Sequence, residues 1–200
     1  MPTADQAHTY MRTVRRHCNL SVGEDVAGTS RAALTGRVLL RSSKQRSIRN
    51  LQDVLRVLRR HLRNVTVMRI DDLSFCTQVR WLDANVVLSV HGSHLVNQAF
   101  MRAGTHLIEI LPWLYEQDCN FAGCGAHHRH VLVGEPTQKE NASAPWIARL
   151  ASASISGRRR ARTAQIQVPT TELDRLVSRI VTSQTARGRF VCQPSRCAYV

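Results

Sequence analysis

Between Gly36 and Pro112, short apolar runs rich in β-branched residues alternate with segments of helical period. That alternation constrains the fold of this 200-residue chain more than any other feature. Arg37-Val38-Leu39-Leu40-Arg41 predicts a first strand, followed by a polar loop, Ser42 to Arg46. Ser47 is placed to cap a helix whose apolar positions, Ile48, Leu51, Val54, Leu55, Leu58 and Leu62, form one stripe. Arg56, Arg59, Arg60 and Arg63 fall largely off it. Val65 to Ile70 predicts a second strand, and Asp71-Asp72 a cap for a helix through Leu73, Phe75, Val79, Trp81 and Leu82. Val86 to Val90 is nearly all apolar, as a central parallel strand should be. It runs into His91-Gly92-Ser93-His94, a short helix from Leu95 to Arg102, and a fourth strand, Leu107 to Leu111, stopped by Pro112. Strands and helices alternating at this spacing imply right-handed crossovers. The expected architecture is an α/β domain with a Rossmann-like, doubly wound parallel sheet.

The flanks carry less pattern. Residues 1–35 show no sustained period and read as a tail or the remnant of a missing domain. Residues 113–135 are irregular and rich in Gly and His, with a short strand at Val131 to Val133. Residues 136–164 form a long loop of Ser, Ala and Arg. Ile166 to Val168 is a last strand, and Thr170 caps a final helix from Leu173 to Val181. Residues 183–200 read as a tail, which leaves 36–182 as the domain. No run of about 18 apolar residues exists to span a bilayer. The first 30 residues contain no apolar h-region of a signal peptide.

Charge is uneven. The 28 Lys and Arg outnumber 14 Asp and Glu, and the excess concentrates in the C-terminal third around Arg158-Arg159-Arg160 and Arg162. Such a run suits phosphate contacts. No aromatic residue interleaves it and no helix-turn-helix or RNA-binding motif accompanies it, so a solvated basic loop is favoured over a nucleic-acid partner. Six cysteines, Cys18, Cys76, Cys119, Cys124, Cys192 and Cys197, include two close pairs, which permits disulfides Cys119 with Cys124 and Cys192 with Cys197. Asn64-Val65-Thr66 and Asn141-Ala142-Ser143 are glycosylation sequons. Cys119, Cys124, His127, His128 and His130 also supply zinc-type ligands, although their spacing matches no common zinc module.

In an open parallel sheet the ligand crevice lies beyond the carboxyl ends of the strands. Arg41, Lys44, Arg46 and Arg49 follow the first strand; Asp71, Asp72 and Ser74 the second; His91, Gly92, Ser93 and His94 the third. Glu109 lies late in the fourth. Several cations and a glycine preceding a helix favour an anion such as a diphosphate. Glu109, set in an apolar strand, needs donors; a ribose diol would supply two. An arginine, Arg41 or Arg49, would serve equally, and His91 is equally readable as a core histidine. There is no GxGxxG and no Walker A sequence, so ordinary NAD and ATP sites are disfavoured.

The segment Val86 to Pro112, VVLSVHGSHLVNQAFMRAGTHLIEILP, resembles the signature of glycosyltransferase family 61: a hydrophobic strand, His-Gly-Ala-Gly/Ala-Leu, a helix with Asn and a Phe-Met or Phe-Leu pair, a turn with Gly, and a strand ending in Glu-x-x-Pro. RSSKQRSIRN, Arg41 to Asn50, is similar to the family's Arg…Arg-x-Ile/Leu-x-Asn stretch. Leu73-Ser74-Phe75 with Gln78 is similar to its Leu-Ser-Phe-x-x-Gln helix start, and Gln165 to Val181 to its last strand and helix. The resemblance implies the C-terminal, donor-binding half of a GT-B enzyme. Such an enzyme takes a nucleotide-sugar, usually a UDP-sugar, without a metal or other cofactor, and transfers the sugar to a glycan or glycoprotein acceptor in the Golgi or endoplasmic reticulum lumen. It implies that Arg41, Arg46, Arg49 and Asn50 line the donor side, and that Ser74 and Gln78 sit by the base or ribose. His91, Gly92, Ser93 and His94 would face the diphosphate, and Glu109 would hold the ribose. An inverting outcome and electrostatic stabilisation of the departing diphosphate come with it. Two departures stand out. His94 puts an imidazole where the family has a small residue, and no acceptor domain precedes the match, so no acceptor-side base is identified. Donor binding without turnover is the alternative reading.

Overall fold

The structure is a computed structural model that describes residues 4–20, 34–41, 47–70, 73–102, 104–112, 128–135 and 165–185. Strands β1 (Thr35–Leu40), β2 (Asn64–Arg69), β3 (Val86–Val90), β4 (His106–Leu111) and β5 (His128–Val133) make one parallel sheet, ordered β2-β1-β3-β4-β5. The chain steps from β1 outward to β2, then returns across β1 to β3 and continues the other way. That reversal makes the β1/β3 junction the topological switch point of a Rossmann-like, doubly wound sheet, as the alternation predicts.

Alternate residues of the strands feed two cores. Val38, Leu88 and Ile108 pack with Val54, Leu55 and Leu58 of α2 (Leu51–His61) and with Leu173, Val177 and Ile180 of α4 (Thr170–Thr185). Leu39, Val87 and Leu107 pack on the opposite face with Leu82, Leu95 and Met101. β3 and β4 are buried at every position, because helices cover both faces. Arg56, Arg59, Arg60 and Arg63 are exposed, as the stripe requires, and Arg60 and His61 tie α2 to Asp174 of α4.

Several boundaries differ from expectation. The helix after β1 starts at Leu51, not Ile48, and Ser47 does not cap it. Instead Ile48 bridges Ile166 in parallel, and the Ser47 carbonyl accepts from the Ile166 amide, so these residues extend the sheet layer. Ser74 caps α3 (Phe75–Trp81), its hydroxyl accepting from the Thr77 amide; Asp71 and Asp72 lie outside the described residues. The expected helix from Leu95 is a 3-10 helix, Ser93–Phe100. Its burial has a period of three: Ser93, Val96 and Ala99 are exposed, while Leu95 and Gln98 are buried. That repeat suits three residues per turn rather than 3.6. β5 begins at His128, earlier than Val131. Ile166 and Gln167 form isolated bridges rather than a strand, and Thr170 is the first residue of α4.

Residues 4–17, which carry no readable period, form α1 (Ala4–His17). Asn19, in the left-handed region at φ 56°, ends it, with the Leu20 amide reaching back to the Arg15 carbonyl. A Cys18–Cys76 disulfide fixes the end of this segment to α3. Arg15, only 2% exposed, donates to the Phe100 carbonyl and to Asp83, each at 3.1 Å. Tyr10 and Phe75 both pack against Phe100. The paired cysteines are neither of the expected pairs; Cys119, Cys124, Cys192 and Cys197 lie outside the described residues. Among the described residues, no helix is long and apolar enough to cross a membrane.

Candidate functional site

At the switch point, Arg41 leaves the end of β1 and Gly92 lies two residues beyond β3. Gly92 has φ 177°, extended backbone that any residue adopts. Space, not backbone conformation, calls for glycine here. A Cβ would stand 2.9 Å from the His94 ring and 3.4 Å from Arg41 Nη1. Arg41 and His94 therefore both reach the space that a side chain at Gly92 would occupy. The imidazole of His94 turns inward, its Nε2 2.7 Å from the Ser89 hydroxyl. Ser89 is a fully buried polar residue in an otherwise apolar strand. The residue that departs from the family pattern thus covers the glycine instead of pointing away.

Ser89 pairs in register with Glu109 of β4, which opens the second half of the cluster. Glu109 is 2% exposed. His91 Nδ1 lies 2.5 Å from its Oε1, and Arg129, on β5, donates to its Oε2 through both Nε and Nη2. Burial pushes the Glu109 carboxyl up. The His91 hydrogen bond and the Arg129 charge outweigh that and hold it below the usual carboxylate range. An ionised carboxylate only accepts, so the proton between the two groups belongs to His91 Nδ1. In the neutral ring the lone pair is then on Nε2.

The remaining predicted residues divide clearly. Asn50 donates through Nδ2 to the Val168 carbonyl and accepts at Oδ1 from the Val168 amide, both at 2.9 Å. It staples the loop after β1 to the segment before α4. Gln78 donates to the Leu73 carbonyl and accepts from Asn97 of the 3-10 helix. Ser74 is used as the α3 cap. The side chains of Arg49 and Ser93 are exposed, and Arg46 lies outside the described residues, as do Lys44, Asp71 and Asp72. The structure thus brings together Arg41, Gly92 and His94, and, alongside them, His91 and Glu109. It commits Asn50, Ser74 and Gln78 to holding the fold.

Sequence reasoning missed Ser89 and Arg129. Ser89 carried a signal: a lone hydroxyl within Val-Val-Leu-Ser-Val. The need of Glu109 for a cation was visible, but Arg41 and Arg49 were the arginines considered. Arg129 belongs to a stretch without strand period, and only the pairing Leu107↔Arg129 brings it beside Glu109. Of the zinc-type cluster, Cys119, Cys124 and His127 lie outside the described residues. The ring of His130 instead stacks on His106, with Nδ1 and Nε2 2.9 Å apart.

Chemically, the crevice sets the Arg41 guanidinium and the His94 imidazole against the buried Gly92, next to a His91–Glu109–Arg129 chain. Such an arrangement can hold an anionic group at the strand ends. No curated protein matches the chain significantly. The sequence does match the family model described as Glycosyltransferase 61, over residues 2–108. That match takes in α1, which the resemblance in the sequence did not include, and stops one residue before Glu109. The resulting assignment covers more than half of the 200 residues and agrees with the parallel α/β sheet: the chain belongs to glycosyltransferase family 61 and carries a glycosyltransferase domain of that family.

Proposed function

We propose that this protein binds a UDP-sugar at the β1/β3 switch point and transfers the sugar to a glycan or protein acceptor. Family membership implies a nucleotide-sugar and an acceptor as partners. The uridine nucleotide, the inverting outcome and the independence from metal are our reading. So is the assignment of residues 36–182 as the donor half of a GT-B enzyme. The observation that carries the proposal is the convergence of Arg41 and His94 on Gly92 at the crevice where open α/β sheets bind ligands. There the departing diphosphate would meet positive charge already oriented by the fold. We assign Arg49, whose side chain is exposed, to the rim of the same crevice; a donor-side role for Arg46 rests on the family resemblance alone.

The family is generally associated with the secretory pathway, and we place this chain in the Golgi or endoplasmic reticulum lumen. The Cys18–Cys76 disulfide supports that compartment. So does the exposed sequon residue Asn64, at the start of the edge strand β2. We assign no nucleic-acid role; Arg158, Arg159, Arg160 and Arg162 lie outside the described residues.

Titration calorimetry with UDP tests the site. Binding that is lost on Arg41→Ala supports it, and no heat with UDP refutes it. A second reading, donor binding without turnover, is favoured by the His94 ring lying against Gly92. Radiolabelled transfer to a glycan acceptor separates the two: UDP binding without any transfer selects the second.

A further inference from the structure

The outer face of α2 carries a charge cluster that neither the core nor the crevice uses. Gln52, Arg56, Arg59 and Arg60 line a cleft of about 380 Å³. Their helical spacing puts them on one face. All four are exposed, while Val54, Leu55, Val57 and Leu58 are buried. We propose that this cleft binds an acidic glycan, a sugar chain bearing carboxylate or sulfate groups. The choice of a glycan over other polyanions rests on the acceptor reading above; the cleft itself does not.

Packing does not ask for cations here. Any polar residue would complete the outer face of an amphipathic helix. Arg56 stands three and four residues before Arg59 and Arg60, a spacing at which like charges repel and weaken a helix. The helix dipole favours Arg59 and Arg60 in the last turn but gives no reason for Arg56. Two acids that do not line the cleft offset the repulsion. Asp53 accepts from Arg56 Nη1 at 2.8 Å, and Asp174 of α4 pairs with Arg60 Nη2 at 3.0 Å. A guanidinium has five N–H donors, so each pairing orients a fork and leaves donors to spare. Arg59 has no ion-pair partner among the described residues. Such forks match carboxylate and sulfate oxygens two at a time. At 1.5 Å of rise per residue, Gln52 to Arg60 runs about 12 Å along the helix, longer than one sugar ring. The Gln52 amide both donates and accepts, as sugar hydroxyls require. Among the described residues, no aromatic side chain lines the cleft to stack a base, and no apolar one to enter a bilayer. The lining therefore fits an acidic glycan better than a nucleic acid or a membrane.

The test uses the full chain against three probes: heparin for sulfate, polygalacturonate for carboxylate and dextran as the uncharged control. Arg56→Gln combined with Arg59→Gln is the diagnostic variant. Both side chains are exposed, and Arg60 keeps its tie to Asp174, so the variant should melt close to wild type. The wild type should bind at least one acidic probe and not dextran. The variant should bind that probe roughly five- to tenfold more weakly at about 0.1 M salt, and high salt should erase the difference. Replacing Arg158, Arg159 and Arg160 by Gln should weaken binding less than the α2 variant does. Failure to bind either acidic probe, equal affinity of wild type and α2 variant, or a larger loss from the Arg158 to Arg160 replacements overturns the inference. Single-stranded DNA or phosphatidylserine vesicles held more tightly than both glycans, with the same dependence on Arg56 and Arg59, overturn the glycan assignment. UDP calorimetry on the same samples keeps the two readings apart. Absent UDP heat removes the donor site, whereas glycan binding that depends on Arg56 and Arg59 still supports this surface.

Discussion

Replacing Asn50 by Ala separates a structural role from a ligand role. The Asn50 carboxamide makes a reciprocal pair of 2.9 Å hydrogen bonds with the Val168 backbone, joining positions 118 residues apart. Each such bond contributes on the order of 1 kcal/mol net, so truncation should cost about 2 kcal/mol. The loss is partial, because Arg49 N still donates to the Ile166 carbonyl and Ile166 N to the Ser47 carbonyl, both at 2.8 Å. For a domain of this size, about 2 kcal/mol lowers Tm by roughly 4–8 °C. Asn50→Asp should fall at least as far. It loses the donor and sets a carboxylate against the Val168 carbonyl. Thermal melts followed by circular dichroism give the stability arm, and UDP calorimetry on the same samples gives the ligand arm. The expected pattern is a lowered Tm with UDP affinity within about twofold of wild type, since a carboxamide engaged on both its groups by the Val168 backbone has no differential contact with the nucleotide. An unchanged Tm together with a lost UDP affinity would refute the staple and restore Asn50 to the donor site.

Other expectations rest on separate contacts. The Cys18–Cys76 disulfide closes a 58-residue separation; in the chain-entropy model its removal costs about 4 kcal/mol. Cys18→Ser with Cys76→Ser should shift the urea midpoint strongly downward, and coincident unfolding curves would show that α1 is not held by it. The depressed Glu109 carboxyl stabilises the fold above its ordinary titration range, near 4.5, and that contribution is lost as pH falls through the lower, folded value. Acid unfolding of the wild type should therefore steepen in that window, whereas Glu109→Gln lacks the component; parallel acid profiles contradict the pairing. Gly134→Ala places a Cβ 2.6 Å from Ile166 Cγ2, with backbone oxygens of Gln167 and Leu111 at 3.2 and 3.3 Å. It should cost about 1–3 kcal/mol by overpacking. Gly92→Ala meets mainly the movable end of His94 and should cost less than about 1 kcal/mol. Equal losses in chemical denaturation would invalidate that distinction.

What was legible in the sequence follows from which forces are local. The period of Val54, Leu55 and Leu58, and the unbroken apolar run of Val86 to Val90, are written in neighbouring residues, so α2 and β3 could be placed. The helix α1 could not. Its contacts are made by Arg15, Cys18 and Tyr10, whose burial depends on Asp83, Cys76 and Phe100 far along the chain. No apolar stripe advertises such a face. The 3-10 geometry of Ser93–Phe100 was hidden for a related reason: its three-residue burial repeat arises from α1, α3 and the sheet residues that it packs against.

The chain's own order of residues determined a parallel α/β domain, the family it resembles, and the strand ends at which Arg41, His91, Gly92, His94 and Glu109 would stand, because periodicity and motif spacing are properties of adjacent residues. Only the tertiary structure decided which of these meet. Strand order put β1 beside β3, so Arg41 and His94 reached Gly92. Pairing of β4 with β5 delivered Arg129 to Glu109. Lateral neighbours in a sheet are fixed by crossovers and long-range burial, which no stretch of local sequence encodes.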